Sequence, residues 1–460
     1  MLVGGPAAPY SRSLRISRAL AAEGYAVEIA AIAAADLPDR ETVPGPTVGS
    51  VGEPAPDPAA IGPIEIRRYR PSGPWALVGA SEAATGASGV PGRPARHGSL
   101  RRLARTAASP LLALRRWLFW PHAVRGWWAT LARELAPADL YHACGALAIA
   151  PALAARDAHP QGPSGARARV IHDAVDHAAA SNEAQAIPRP IRRLLERREA
   201  GWATAADAIV TVNDELAASL TAAWRPPARI LSVPNYPETP DRAIVDSQRG
   251  RLRQLARLGP GMRIVLYLGR LGPGLGLAEA AEAVLQVPNA ALVLLGFGRG
   301  LEESRARDRD PRFAGRHVTL PPVHPDELLG WTADADAALI AAPPISPNRR
   351  LSTPNKFWEA LAAGTPVVVV RGVDVMERLV REYDLGAVAE STEPTQLAKA
   401  LIAVLGRLDR EGRGWRERIA QTSRERFGWP AAATAYRSLV RSLVPAAGPP
   451  NDGPDSPAPR

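Results

Sequence analysis

Residues 352–366 read Ser352-Thr353-Pro354-Asn355-Lys356-Phe357-Trp358-Glu359-Ala360-Leu361-Ala362-Ala363-Gly364-Thr365-Pro366, and four valines, Val367 to Val370, follow. The stretch spells a helix with both ends specified. Thr353 is a suitable N-cap, and Pro354 suits the first helical position, where its missing N–H costs nothing. Gly364 supplies the left-handed residue that closes the helix, and Pro366 blocks its resumption. The valines predict a strand buried on both faces, as in a parallel sheet. At the helix start, free backbone N–H groups and the dipole make an anion site, to which Lys356 adds a full positive charge. Glu359 lies three residues after Lys356 and four after Asn355, so the three share one face. A phosphate site with a carboxylate one turn along fits a nucleotide-sugar, its diphosphate at the tip and its hydroxyls at Glu359. The same residues also fit a capped helix with a solvated Lys/Glu pair. Lysine usage sharpens the first alternative: of 56 Lys+Arg, lysine occurs only at 356 and 399.

Bulk properties set the frame. A chain of 460 residues has room for two domains, each of about 200 residues. The single Cys144 excludes an internal disulfide and a cysteine-rich metal site, and fits a reducing compartment. No stretch approaches the roughly 20 apolar residues of a membrane span. The chain opens inside a strand with no charged leader, which points to a cytoplasmic protein. The formal net charge of +10 is local: between Glu65 and Arg133 twelve arginines face two glutamates, an excess of ten.

Met1-Leu2-Val3-Gly4-Gly5-Pro6 reads as a strand running into a glycine turn. Leu14, Ile16, Leu20 and Ala21 carry helical spacing up to Gly24, and Ala26 to Ala30 form the next strand. This β-turn-α-β opening is Rossmann-like. Further strands are expected at Asp139–His142, Arg169–Asp173, Ala208–Val212 and Ile230–Val233. Pro, Gly, Ser and Ala dominate residues 41–63 and 71–98, which read as loops or poorly ordered insertions. A polar stretch from Glu238 to Pro260 is a linker. The second half restarts with Arg263 to Arg270 and alternates helix and strand through Ala291–Leu295, Ala337–Ile340 and Val367–Val370, as a doubly wound sheet requires.

The string from Thr353 to Val370 resembles the donor-binding signature of the family-four, retaining "group 1" glycosyltransferases, in the subgroup whose helix opens on a Pro-Asn-Lys-like string. Arg12-Ser13-Leu14-Arg15 after the first glycine loop resembles that family's first unit. The resemblance covers nearly the whole chain, best from about 200 to 405. It implies the α/β GT-B fold, two Rossmann-like doubly wound domains facing a cleft. The N-terminal acceptor-side domain is expected over 1–240, with a basic Trp/Arg-rich insertion at about 65–133. A linker at 241–260, a nucleotide-sugar-binding domain at 261–445 and a disordered tail at 446–460 complete the layout.

Site residues follow by the same resemblance. Gly4 and Gly5 form the first glycine loop. Gly269 and Arg270 end a buried strand, where Arg270 clamps the donor diphosphate. The lysine that family members place five residues later is here Leu275. Gly298, in Gly296-Phe297-Gly298, is either a place of backbone approach to the nucleotide or a tight strand-to-helix turn. Val323, in Pro321-Pro322-Val323-His324, lies where main chain meets the base. Thr353, Asn355, Lys356 and Glu359 complete the donor site, while Leu351 stands where a first glutamate would. Asp334-Ala335-Asp336 spells the Asp-x-Asp of metal-dependent transferases but sits in a turn where the family uses it structurally. No metal and no cofactor are expected. His172-Asp173-Ala174-Val175-Asp176-His177 is expected to point at the cleft, with Asp173, Asp176 and His172 as candidates for orienting or deprotonating an acceptor, and His177 and His142 as substitutes.

The arginine-tryptophan segment has two readings. Arg101, Arg102, Arg105, Arg115, Arg116 and Arg125 interleave with Trp117, Phe119, Trp120, Trp127 and Trp128. Such a mixture suits docking on an anionic membrane surface, peripheral on the inner face. Alternatively the tryptophans pack inside while the arginines stay solvated. No recognition motif accompanies the charge, so nucleic acid is not an expected partner. These residues point to a hexosyltransferase-like enzyme moving sugar from a nucleotide-sugar donor to a polysaccharide or lipid-linked acceptor in cell-surface glycan biosynthesis. The alternatives are a nucleotide-sugar 2-epimerase and a catalytically weak glycan- or nucleotide-binding partner, the latter favoured by Leu275.

Overall fold

The computed structural model describes residues 1–7, 11–34, 37–43, 63–72, 125–185, 187–238, 245, 249–323 and 327–444. Strands β1 (Leu2–Val3), β2 (Glu28–Ile32), β3 (Arg40–Val43), β4 (Ile64–Tyr69), β5 (Leu140–Cys144), β6 (Arg169–Asp173), β7 (Ala208–Thr211) and β8 (Leu231–Ser232) make one sheet, in the order β3-β4-β2-β1-β5-β6-β7-β8. A second sheet holds β9 (Arg263–Arg270), β10 (Ala290–Phe297), β11 (His317–Leu320), β12 (Ala337–Ile340), β13 (Val367–Val370) and β14 (Gly386–Ala389), ordered β11-β10-β9-β12-β13-β14. Neighbours are parallel throughout, except for the antiparallel edge pair β3–β4. In both sheets the strand order reverses beside the first strand, between β1 and β5 and between β9 and β12. Such a reversal opens a crevice beyond the carboxyl ends of the strands.

Continuous apolar runs cause this architecture. All four valines of β13 are buried, as are Ile264 to Leu268 of β9 and Ala290 to Leu295 of β10, because helices cover both faces of the sheet. Less obvious strands were not legible. β14 is Gly-Ala-Val-Ala, with little β-propensity. In β11 the buried His317 is tolerated because the Asp308 carboxylate lies 2.7 Å from its Nδ1. Residues 41–43, expected in a loop, pair with β4 through Val43 opposite Ile64.

The boundary at 445 needs correction in space. The last helix, Trp429–Leu443, turns back onto the first half, where Trp429, Tyr436 and Val440 pack with Ile16, Leu20, Ile171 and Val210. Its apolar stripe therefore closes the core of the first sheet, not the second. No helix among the described residues is long and apolar enough to cross a membrane. Most of the arginine-tryptophan segment, from Arg101 to Trp120, lies outside the described residues, as do His324 and the tail 446–460. Trp127 is described and packs inside, its indole N–H donating to the Ala31 carbonyl at 3.2 Å, and Trp128 lies half-buried beside it.

Candidate functional site

The decisive helix runs Asn355–Ala362, one residue later than the sequence indicates. Pro354, with ψ 151°, takes the N-cap position, and no side chain caps the helix. With Pro354 extended, the first turn opens at Asn355 and Thr353 falls one place too early to cap it. Its hydroxyl instead accepts from Asn213 Nδ2 at 3.3 Å. Gly364, at φ 71°, ends the helix as expected. Phe357, Trp358 and Leu361 bury the opposite face in the core of the second sheet. That leaves Asn355, Lys356 and Glu359 on the face toward the cleft.

Lys356 lies over β9. Its Nζ stands 3.6 Å from the centroid of the Tyr267 ring, a cation–π contact. A Cβ placed at Gly269 would come 3.8 Å from the same ammonium. Among the described residues no carboxylate oxygen lies within 4.0 Å of it. Burial lowers the Lys356 pKa to about 7; Glu359 pulls it up and Arg349 pushes it further down. Burial likewise raises the Glu359 carboxyl above its ordinary range, against the attraction of Arg15 and Lys356. The ammonium is therefore short of negative charge, and an incoming anion would supply it.

The β9–β12 crevice lies directly beside this helix. Arg270 ends β9 with its side chain exposed, while its carbonyl accepts from the Tyr267 hydroxyl at 2.8 Å. Leu275 is half-buried and packs against the core of the second sheet. Gly298, at φ 119°, lies where a Cβ would fall 2.6 Å from the Leu271 carbonyl oxygen. Its bare Cα thus lets the Arg270–Gly272 loop lie across the end of β10. Gly276, at φ 71°, plays the same part opposite β12, since a Cβ there would fall 2.2 Å from the Ala341 carbonyl oxygen. At the β1–β5 reversal, Gly4 abuts Leu147, with a Cβ placed there 2.5 Å from the Leu147 Cβ, and Gly5 is buried. Val323 is half-buried on the apolar side of β10 and β11.

Side chains from both halves meet around the crevice. Arg15 donates to Asn235 Oδ1 at 2.6 Å, and the Asn235 amide donates in turn to Asn355 Oδ1. Asn213 Nδ2 donates to the Leu351 carbonyl at 2.9 Å. Asn348, on the short helix Pro347–Arg350, donates to Asp176 Oδ1 at 2.8 Å and accepts from the His177 backbone N–H at 2.9 Å. Of the candidates in the first half, the exposed Asp176 is the one that reaches the crevice.

Asp173 and His172 do not, which corrects their expected cleft orientation. The Asp173 carboxylate is fully buried and held at 2.8 Å by both the Nε and an Nη of Arg12. Burial alone would raise this carboxyl, but Arg12 and His142 outweigh it and hold it well below the usual carboxylate range. His142 Nε2 lies 3.3 Å from Asp173 and its Nδ1 2.7 Å from the Tyr436 hydroxyl. That arrangement suits a neutral imidazole donating to the carboxylate and accepting from tyrosine. His172 stacks on Trp224 with centroids 5.5 Å apart, and burial lowers its pKa to about 4. His177 is buried against the edge of the same indole. A strand end in a parallel sheet points at the cleft only where the following loop stays open. Here the helices Ser11–Ala21 and Trp429–Leu443 cover Asp173 through Arg12 and Tyr436, and Trp224 of the helix Asp214–Trp224 covers His172.

Potential metal ligands fare similarly. His142, Cys144 and Asp173 lie within 4.8 Å of one another. Arg12 occupies both Asp173 oxygens, and burial pushes the Cys144 thiol well up, so the set does not fit a cation. Asp334 and Asp336 spend their carboxylates on backbone N–H groups and on the Arg263 guanidinium. Asp334 accepts from Leu252 N at 2.8 Å, and Asp336 accepts from Ile264 N at 2.7 Å and Arg263 at 2.9 Å.

Residues 262–407, which hold β9 to β14 and the Lys356 helix, match the family described as glycosyl transferases group 1. The chain carries a group 1 glycosyltransferase domain. The chain is 33% identical over 198 residues to a glycogen synthase of an Anaeromyxobacter species, covering 40% of this chain and 39% of that protein. It is 28% identical over 300 residues to a D-inositol 3-phosphate glycosyltransferase of Geodermatophilus obscurus, covering 60% and 64% respectively. The chain thus spans less than two thirds of either relative. Among solved structures, sucrose-phosphate synthase from Thermosynechococcus elongatus superposes with a TM-score of 0.60 at 18% identity, over 97% of this chain and 96% of that one. The fold is GT-B, with the group 1 domain as its second half.

Proposed function

We propose that this protein transfers a sugar from a nucleotide-sugar donor to a polysaccharide or lipid-linked acceptor. One observation carries the proposal. In the group 1 domain, the uncapped start of the Asn355–Ala362 helix carries a half-buried ammonium short of negative charge, beside the β9–β12 strand reversal. A donor diphosphate there would meet Lys356 and Arg270. Glu359, one turn along, would accept hydrogen bonds from ribose hydroxyls. As the bond to the sugar breaks, negative charge grows on the departing diphosphate, and fixed cations stabilise that change more than they stabilise bound donor. Asp176, at the crevice edge, is the first-half carboxylate placed to meet an acceptor hydroxyl.

Family resemblance adds retention at the anomeric carbon and independence of a metal ion. A 2-epimerase on this fold needs a carboxylate–histidine set in the cleft, and the Asp173–His142 pair is enclosed. On the acceptor side, the helix Arg189–Ala205 exposes Arg193, Leu194, Arg197 and Arg198. Such a face supports a cytoplasmic protein meeting an anionic membrane surface where the acceptor is lipid-linked. The test is a panel of nucleotide-sugars incubated with the protein. A transferase releases free nucleoside diphosphate, and Lys356→Ala abolishes the release. Interconverted donors would instead establish an epimerase, and binding without turnover a binding module.

A further inference from the structure

We propose that Arg349 supplies a third cation for the donor diphosphate beside Lys356 and Arg270, providing from the chain after β12 the charge that Leu275 does not provide after β9. The proposal rests on the nucleotide-sugar reading above and names the group that completes the same site.

Its starting point is the direction of Leu275. The side chain is apolar and packs against the core of the second sheet, so the β9 loop, Arg270 to Gly276, offers the crevice a single cation, Arg270. Across the strand reversal, the chain leaving β12 passes Ala341 and enters the helix Pro347–Arg350. These two segments are in direct contact. Gly276 follows Leu275, and only its missing Cβ lets the Ala341 carbonyl oxygen approach, since a Cβ would fall 2.2 Å from it. The segment that leads from Ala341 into the helix carrying Arg349 therefore starts against the loop that holds Leu275.

The short helix is also held firmly. Ser346 caps it, its hydroxyl accepting from Arg349 N at 3.2 Å. Asn348 ties it to the first half through Asp176 and the His177 backbone. Arg350 turns outward to Asp374, with Nε 3.1 Å from the carboxylate. Arg349, half-buried between these anchored neighbours, has no carboxylate within 4.0 Å among the described residues. Lys356 Nζ and the Tyr267 ring are in contact at 3.6 Å, and the Arg349 charge lowers the pKa of both, so the guanidinium acts on that pair. Tyr267, Lys356 and Arg349 thus form one electropositive cluster. Glu359, on the Lys356 helix, is the acidic group that faces it, and Arg15 draws on Glu359 from the other half. An arginine in that place can grip two phosphate oxygens at once, which a lysine at 275 could not.

Calorimetric titration with UDP, GDP and inorganic pyrophosphate tests this, using the full chain and variants whose melting temperatures match the wild type. Arg349→Ala is expected to weaken nucleoside diphosphate and pyrophosphate alike by tenfold or more. Arg350→Ala on the same helix should leave both unchanged. Removing Arg349 also lifts its push on Lys356, so the pH at which diphosphate affinity begins to fall should move upward in Arg349→Ala. Retained pyrophosphate affinity in Arg349→Ala, or equal losses in Arg350→Ala, would overturn the assignment while leaving the nucleotide-sugar reading intact. Should the wild type bind none of the three anions, the reading and the assignment fall together.

Discussion

Lys356 gives the sharpest expectation, because its environment sets a pH at which donor binding should fail. Burial lowers its pKa to about 7 in the free protein, from an ordinary 10.5. A diphosphate seated beside it supplies the missing negative charge and returns the group toward its ordinary range. Binding then requires the ammonium, and affinity falls once the free protein loses that proton. For a free-state pKa of about 7, the charged fraction drops from about one half at pH 7 to about one hundredth at pH 9. Affinity should fall about fiftyfold over that interval, or ~2.3 kcal/mol. The sign for stability is opposite. A lysine with a lowered folded-state pKa stabilises the free protein increasingly as pH rises from about 7 toward 10.5, because only the unfolded chain binds the proton there. The assay is calorimetry with a nucleoside diphosphate from pH 6 to 9 on wild type and Lys356→Arg, whose guanidinium stays charged. Ionisation of the nucleotide itself cancels in the ratio of the two affinities. A ratio that stays constant across the range would refute this account of Lys356.

Three further outcomes follow from the same geometry. Glu359→Gln should weaken UDP and GDP at least fivefold while leaving pyrophosphate unchanged, since the carboxylate is assigned to ribose; equal loss for all three would remove that role. Arg12→Met should destabilise the fold by about 3–5 kcal/mol in urea denaturation, because Asp173 would keep a buried charge without its partner, and a loss below about 1 kcal/mol would show that the pair is dispensable. Co-sedimentation with anionic vesicles should occur at low salt and vanish at high salt, with neutral vesicles binding poorly; equal binding to both kinds would count against a basic docking face.

How far the sequence could be read depended on whether a residue's environment is local. The strands Arg169–Asp173, Arg263–Arg270, Ala337–Ile340 and Val367–Val370 coincide with their expected bounds. Each is an apolar run between turn residues, a signal contained in a few positions. The Lys356 and Glu359 placement was equally local, being fixed by helical spacing. The Thr353 cap failed by one residue, because Pro354 is extended and itself takes the N-cap place. Asp173 and His172 were misjudged for a different reason. The fate of Asp173 depends on Arg12, 161 residues away, and on Tyr436 in the last helix, and that of His172 on Trp224. The one hint was Arg12 itself, a charged residue on the same helical face as Ile16 and Arg15, both of which are buried. Arg349 carried no signal at all, because the chain is rich in arginine and only the fold brings the β12 loop against Gly276.

The central claim is that a nucleotide-sugar lies with its diphosphate at the start of the Asn355–Ala362 helix. A crystal structure of the protein with a nucleoside diphosphate tests it most directly. The account predicts diphosphate oxygens within hydrogen-bonding distance of Lys356 Nζ and of the Arg270 guanidinium, with the ribose hydroxyls on Glu359. A nucleotide bound elsewhere, with Lys356 still resting on the Tyr267 ring, would contradict it.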